Sequence, residues 1–380
     1  MARVNKPIWD DAPWEPLPQL TGIVRADVCV VGLGGSGLAA LEALRECGVD
    51  AVGIDARDAG AGAAGRNGGF ALAGLAKFYH DTVAQLGRET AAAIYRATAE
   101  EIQRQAAALP GVFNLIGSLR LAASATELED CRAHRAALQA DGFPVEWYRG
   151  PEGEGLLLPT DGVFQPLARV RTLARRLRES GVRLFERSPL KKLVPGQVVS
   201  DNGAVLADTV IVAVDGRLEK IFPELVSRVR TARLQMLGTA PTREVRFPRA
   251  VYWRYGYEYW QQLPDGSIAL GGFRDHALED EWTHAAEPTD FIQEKLERFL
   301  RGHLGVNAPV THRWAASVGY AADNLPVLEQ VRPKVWALGG YCGTGNIVGS
   351  LCGQAAAALA CGRISPWAEL LARARGRSPL

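Results

Sequence analysis

Along the first fifty residues after an irregular lead-in, the apolar positions change period twice. "ADVCVVG" (26–32) is a continuous apolar run, as expected of a strand buried on both faces of a parallel sheet. Leu38, Leu41 and Leu44 then recur at helical spacing, and Gly48 stands where that helix should stop. "AVGID" (51–55) is a second apolar run, closed by a carboxylate. The pattern predicts strand, helix, strand in one β-α-β unit.

The same reading continues down the chain. Helical patterns occupy 81–108 and 126–140, the second opening on Thr126 with Glu129 in capping-box spacing. Residues 162–186 predict strand, turn, helix and strand, with Val170, Leu173 and Leu177 on the buried face and the arginines opposite forming a solvated one. Residues 196–214 predict a hairpin feeding an apolar strand. "VYWRYGYEYWQQLPDGSIALGGF" (251–273) is aromatic-rich with a Pro-Asp-Gly turn, which predicts antiparallel strands. A helix follows with Phe291, Ile292, Leu296, Phe299 and Leu300 as its apolar set, and 334–362 reads as strand, Gly-rich turn and helix.

Nucleotide-type β-α units thus occur at the start, middle and end, with antiparallel material inserted between them. The predicted fold class is α/β (α+β overall), a Rossmann-like domain interleaved with a domain built on an antiparallel sheet. The first is expected over 1–80, 150–218 and 312–380, the second over 81–149 and 219–311.

Composition narrows the partners. A formal net charge of +1 over 380 residues gives no electrostatic reason to expect nucleic acid or an anionic membrane. No apolar stretch is long enough to span a bilayer, and the N-terminal "MARVNKPIWDDAPWEPLPQL" lacks a signal peptide's apolar run. The six cysteines form no CxxC pair, so no metal site is expected and reduced thiols in the cytoplasm are the simplest reading.

Gly32, Gly34 and Gly37 form G-x-G-x-x-G between the first predicted strand and helix. The first glycine permits a tight turn, the second close approach of a pyrophosphate, and the third close strand–helix packing; the helix start supplies N–H donors. Asp55 ends the second strand, where a carboxylate meets ribose hydroxyls. The unit therefore binds a dinucleotide. A second Gly-rich turn, "LGGYCGTGNIVG" (338–349), favours a flavin over a nicotinamide, because a helix start near the flavin's pyrimidine edge stabilises the charge of the reduced ring.

"GLGGSGLAA", "GAGAAGRNGGF", "RWAASVGYAADNLPVL" and "GGYCGTGNIVGS" resemble the D-amino-acid-oxidase-like flavoprotein family, most closely its γ-glutamylputrescine oxidase-like branch. The resemblance covers nearly the whole chain and is weaker in the inserted domain. It implies non-covalent FAD, a Rossmann-like FAD-binding domain and a substrate domain with a large antiparallel sheet. It carries over Gly32, Gly34 and Gly37 to the pyrophosphate and Asp55 to the adenosine ribose, with Gly35, Ser36, Ala56 and Arg57 as further cofactor contacts. Gly65, Arg66, Asn67 and Gly68 would pass the flavin ring, and Leu190 would meet the adenine. Ala213, Val214 and Gly340 would lie beside the cofactor, with Gly343, Thr344, Gly345 and Asn346 at the pyrimidine edge; Cys342 either touches the flavin edge or is a small buried residue.

The departures restrict the substrate. Relatives clamp a substrate carboxylate with an arginine where this chain has Val318, or with a lysine where it has Ile347, and no flavin-linking cysteine accompanies "SVGYAADN". Asp215 in "VAVDG" replaces a small polar residue of the family pattern. The resemblance implies hydride transfer from the carbon beside an amine nitrogen to the flavin, with oxygen or another acceptor reoxidising it.

Four residues are the catalytic candidates. Arg66 either tunes the ring or fixes its own loop, and Arg274 is the remaining carboxylate clamp or a surface arginine. Tyr257 and Tyr259, with Tyr255, either line a cation-friendly pocket by strand alternation or pack the sheet. Two other functions stay open: a flavin-binding protein without amine chemistry, and an NAD-dependent dehydrogenase.

Overall fold

The computed structural model describes residues 3–377. The chain divides into two compact units. One comprises the residues up to Asp11, Arg66–Gln165 and Ala232–Ser317; the other comprises Ala12–Gly65, Pro166–Thr231 and the described residues from Val318 onward. The boundaries differ from those expected at 80, 150, 218 and 312. Residues 3–11, 66–80, 150–165 and 312–317 go with the first unit, and 219–231 with the second. Strand pairing accounts for part of the shift: Phe70–Ala71 and Phe113–Asn114 both pair with Gly162–Phe164, which draws those segments into one body. Positions 1–2 and 378–380, within the expected segments, lie outside the described residues.

The unit carrying Gly32 is built on a sheet whose central strands are parallel. Arg183–Phe185 pairs with Ala51–Ile54, which pairs with Gly22–Val31; Gly203–Ala213 comes next and also receives Val335–Gly339. Gln197–Val199 and Lys192–Val194 add an antiparallel edge. Val31, Val52, Ile54, Val205, Val212 and Ala337 form its core. Helix Gly35–Glu46 lies on this sheet with Leu38, Leu41 and Leu44 each 0% exposed. Burial of each contributes roughly 1.5–3 kcal/mol, which fixes the helix start at the strand end.

The other unit is a nine-stranded sheet in which Val229–Thr239, Ile268–Gly272, Glu258–Gln262 and Ala250–Trp253 are consecutive antiparallel neighbours. Helix Asp290–Gly302 buries Ile292, Leu296 and Leu300 against it. Phe291, expected on that face, is 52% exposed because it lies in the first turn beyond the apolar stripe. Three further expectations are corrected here. The helical pattern 81–108 is two helices, Tyr79–Leu86 and Arg88–Ala108, broken at Gly87, whose φ of +79° suits glycine. The cap of helix Ala125–Ala140 is Ser124, which accepts from Glu127 N–H at 3.2 Å, while Glu127 accepts from Ala123 N–H at 2.8 Å. The Thr126/Glu129 pairing is therefore two residues late. The aromatic run is not continuous strand: Arg254 (φ +50°) and Tyr255 (φ +58°) make a turn between two strands.

Candidate cofactor and substrate sites

In the parallel-sheet unit, Gly32 turns with φ +106°, and a Cβ there would lie 2.5 Å from the Ala213 carbonyl oxygen. At Gly37 a Cβ would lie 1.8 Å from the Gly32 carbonyl oxygen, so only glycine lets helix and turn pack this closely. Gly34 is the extended N-cap of helix Gly35–Glu46; no side chain caps this helix and its first turn holds no acidic residue. The first-turn donors, including those of Gly35 and the buried Ser36, are set for an external anion. Arg169, expected on the solvated face of its helix, is instead buried beside them: a Cβ on Gly35 would come 2.8 Å from its guanidinium, which donates to Ser350 Oγ at 2.7 Å.

Asp55 accepts from Leu33 N–H at 2.7 Å and Arg57 N–H at 2.9 Å. Burial raises its carboxyl above the usual range, and those two bonds oppose the rise. Each oxygen keeps acceptor capacity beyond one backbone bond, as a ribose hydroxyl requires. Ala56 and Arg57 follow in exposed backbone, and Leu190 is half-buried against the core of the same unit. A Cβ on Gly65 would strike the Gly60 carbonyl at 2.2 Å, which keeps the small-residue loop tight. A pyrophosphate-linked dinucleotide fits this cradle.

The second Gly-rich turn precedes helix Val348–Ala360, which also has no side-chain cap and no acid in its first turn. Gly340 (φ +65°), Cys342 (φ +53°) and Gly343 (φ +87°) give the turn its left-handed steps, and space around Gly343 is open. Thr344 Oγ1 donates to the Tyr341 carbonyl at 2.7 Å, and Asn346 accepts from Ser350 through its carbonyl. A Cβ on Gly345 would press on the Tyr341 ring at 2.9 Å. Cys342 is buried, its thiol pushed up to about 12 by desolvation, and Ala321 N–H donates to its sulfur at 3.3 Å. Asp215, which follows Ala213 and Val214, accepts from Gly319 N–H at 3.1 Å and Tyr341 N–H at 3.2 Å. It ties this turn to its neighbours, a structural role for the unusual aspartate. Val318 and Ile347 are buried apolar side chains, 9% and 1% exposed.

In the antiparallel unit, Arg66 Nε donates to the Ala315 carbonyl at 2.9 Å and Nη2 to the Asn5 carbonyl at 2.8 Å. The guanidinium thus holds its own loop. Asn67 Oδ1 accepts from Gly69 N–H, and its carbonyl accepts from the Trp9 indole. Tyr259 packs under this loop: a Cβ on Gly68 would lie 3.2 Å from its ring, and its ring centroid is 5.8 Å from that of Tyr252. Tyr257 is different. It is 41% exposed beneath the Arg254 guanidinium, because Arg254 bridges Glu258 and Asp275 and shapes the turn. The expected alternation that would line a pocket with Tyr255, Tyr257 and Tyr259 does not occur. Arg274 stands over the Trp282 ring at 4.5 Å.

Two features escaped sequence reasoning. Gln261 is buried and donates to the Gly68 carbonyl at 2.5 Å, fixing the loop from beneath. A small cavity of about 20 Å³, room for about one water, is lined by Tyr95, Arg120, His134, Asp161 and Tyr252. Asp161 there accepts from Ala73 N–H and Ser118 Oγ, and burial pushes its carboxyl up to about 6. His134 Nδ1 accepts from Tyr79 N–H, and burial with the nearby Arg120 charge keeps the ring neutral. No local spacing joins these residues, which come from five different segments.

A glycine cradle at the carboxyl end of a parallel strand, with a second uncapped helix start in the same unit, defines a dinucleotide-dependent redox protein. The protein-family model described as FAD dependent oxidoreductase (DAO) matches residues 27–359, and the chain belongs to that family. Its cofactor is FAD, and its family acts on amines or amino acids. The chain is 27% identical to the probable oxidoreductase OrdL of Rhizobium meliloti (strain 1021), over 93% of this chain and 88% of that protein. It is 25% identical to gamma-glutamylputrescine oxidoreductase of Escherichia coli (strain K12), over 91% and 86%. Glycine oxidase from Geobacillus kaustophilus shares the fold, with a TM-score of 0.72 and 18% identity over 90% of this chain and 96% of that one. Among the described residues, no helix is long and apolar enough to cross a membrane.

Proposed function

We propose that this chain oxidises the C–N bond of an amine, or of an N-substituted amino acid, to an imine that hydrolyses in water. When bound, FAD accepts a hydride from the carbon beside the substrate nitrogen. In this reading the parallel-sheet unit is the FAD-binding domain and the antiparallel unit supplies the substrate contacts. The first-turn amides of helix Gly35–Glu46 bind the pyrophosphate, Asp55 accepts from the ribose, and the uncapped start of helix Val348–Ala360 favours negative charge at the pyrimidine edge. No flavin-linking cysteine is expected, so the cofactor is held non-covalently.

The observation that carries the substrate class is the buried, uncharged pair Val318 and Ile347. A buried aliphatic side chain cannot bind a carboxylate, and carboxylate recognition needs a paired cation. The substrate is therefore an amine whose recognition does not depend on an α-carboxylate at those positions, in keeping with the name of the Escherichia coli relative. Arg274 is the remaining clamp for a more distant acidic group, and Tyr259 the aromatic surface for the amine.

The test is the visible spectrum of the purified protein without oxygen, during addition of a polyamine, a γ-glutamyl polyamine, sarcosine, proline, glycine and D-alanine. Bleaching of the flavin band by a polyamine or its γ-glutamyl derivative supports the proposal. Bleaching by glycine and D-alanine alone contradicts it. A band that none of them bleaches supports a flavin-binding protein without amine chemistry.

A further inference from the structure

Helices Gly35–Glu46 and Val348–Ala360 lie against each other in one unit and end alike. Each is followed by a cysteine at its C-cap, Cys47 and Cys361. Each cysteine is followed by a left-handed glycine, Gly48 (φ +72°) and Gly362 (φ +68°). The same two closing bonds finish both: Gly48 N–H to Arg45 O with Val49 N–H to Leu44 O, and Gly362 N–H to Leu359 O with Arg363 N–H to Ala358 O.

Their register is set further back. A Cβ on Gly353 would lie 2.1 Å from the Ser36 carbonyl oxygen and 3.0 Å from Ala40 N, so the backbones touch at that level. Cys361 stands eight residues beyond Gly353, and Cys47 seven beyond Ala40. At about 1.5 Å of rise per residue the two cysteines reach nearly the same height. One contact then joins the ends: Arg363 Nη1, two residues beyond Cys361, donates to Cys47 Sγ at 2.9 Å.

These two are also the accessible cysteines. Cys29, Cys131, Cys342 and Cys352 are buried, whereas Cys47 and Cys361 are half-exposed. The Arg363 guanidinium bonded to its sulfur marks Cys47 as the attacking sulfur, and Cys361, whose thiol burial pushes up, is the resolving one.

We infer that Cys47 and Cys361 form a site of reversible oxidation, closing to a disulfide that staples the ends of these two helices when the protein meets a peroxide. Cys47 sulfur attacks one oxygen of hydrogen peroxide, the O–O bond breaks, and Cys47 sulfenic acid forms with loss of water. Cys361 sulfur then attacks Cys47 sulfur, the S–O bond breaks, and a second water leaves as the S–S bond forms. Two thiols lose two electrons and two protons, and the peroxide becomes two waters. The staple joins the far ends of the two helices whose starts carry the glycine turns. It does not depend on which amine is oxidised.

The FAD-loaded, full-length protein is treated with hydrogen peroxide, its remaining thiols are blocked, and the unreduced digest is read by mass spectrometry. The expected result is a peptide pair linked through Cys47 and Cys361 within one chain, released by dithiothreitol. The melting temperature rises on oxidation in the wild type and does not rise in Cys361→Ser. Arg363→Ala slows formation of the link several-fold with FAD content unchanged, which a merely structural arginine would not do. Over-oxidation of Cys47 to the sulfinic acid with no link, or a link found solely between two chains, overturns the inference.

Discussion

In the function proposed above the two units would recognise their ligands by different means, and this decides what each reveals before it is seen folded. The parallel-sheet unit works through backbone. Gly32 and Gly37 leave room where side chains would collide, and uncapped N–H groups would do the binding. The antiparallel unit works through side chains held by other side chains. Tyr259 rests under a loop fixed by Gln261, and Tyr257 is turned outward by Arg254 and its two carboxylates. A backbone site writes itself into glycine spacing; a side-chain site depends on which residues the tertiary fold brings together.

Substitutions sharpen the contrast. The largest effect is expected at Gly37→Ala, where the new methyl meets a carbonyl oxygen 1.8 Å away. The protein should be recovered without flavin colour, or not in soluble form. Arg233→Met removes the partner of Glu281, which is 1% exposed and holds Arg233 at 2.8 Å. Leaving that carboxylate buried without its cation, with only Gln235 Nε2 still donating to it at 2.9 Å, should cost about 3–5 kcal/mol in urea unfolding, without touching the glycine cradle.

Asp161 gives a pH-dependent test. Its ordinary value of 3.8 is raised to about 6 by burial in the folded state. Between those values the folded chain holds the extra proton, so stability is greatest below the window and falls as pH rises through it. Asp161→Asn keeps an acceptor for Ala73 N–H and removes this dependence. Relative to the variant, the wild type should lose up to about 3 kcal/mol of unfolding free energy on passing from pH ~4 to above ~6. An unchanged difference between the two proteins across that range contradicts the assignment. The smallest effect is expected at Tyr257→Phe. Its ring is exposed, so stability should move by less than about 0.5 kcal/mol and flavin reduction by no more than about twofold. A larger loss of reduction rate would restore Tyr257 to the substrate contacts.

Much of the fold was legible because each strong pattern had a local cause. The apolar run 26–32, the leucines of the first helix and the Pro-Asp-Gly turn each appear where their periodicity and turn chemistry place them. The errors came where tertiary contacts override local signals. Two residues separate the expected cap at Thr126 from the real one at Ser124, since both stretches satisfy the same spacing rule. Tyr255 left the strand pattern because a left-handed turn, stabilised by Arg254 between Glu258 and Asp275, interrupts it. Arg66 carries a loop through carbonyl bonds that no spacing discloses. The pairing of Cys47 with Cys361 was equally hidden, since most of the chain lies between them and only helix packing joins them.

The most direct test of the account is to precipitate the purified protein with acid and measure flavin in the supernatant and in the pellet, for the wild type and for Gly37→Ala. The account predicts FAD released into the wild-type supernatant in equal number to chains, and none from the variant. Flavin that stays with the precipitated chain would contradict the non-covalent cradle, and so would a Gly37→Ala protein that keeps its full complement of FAD.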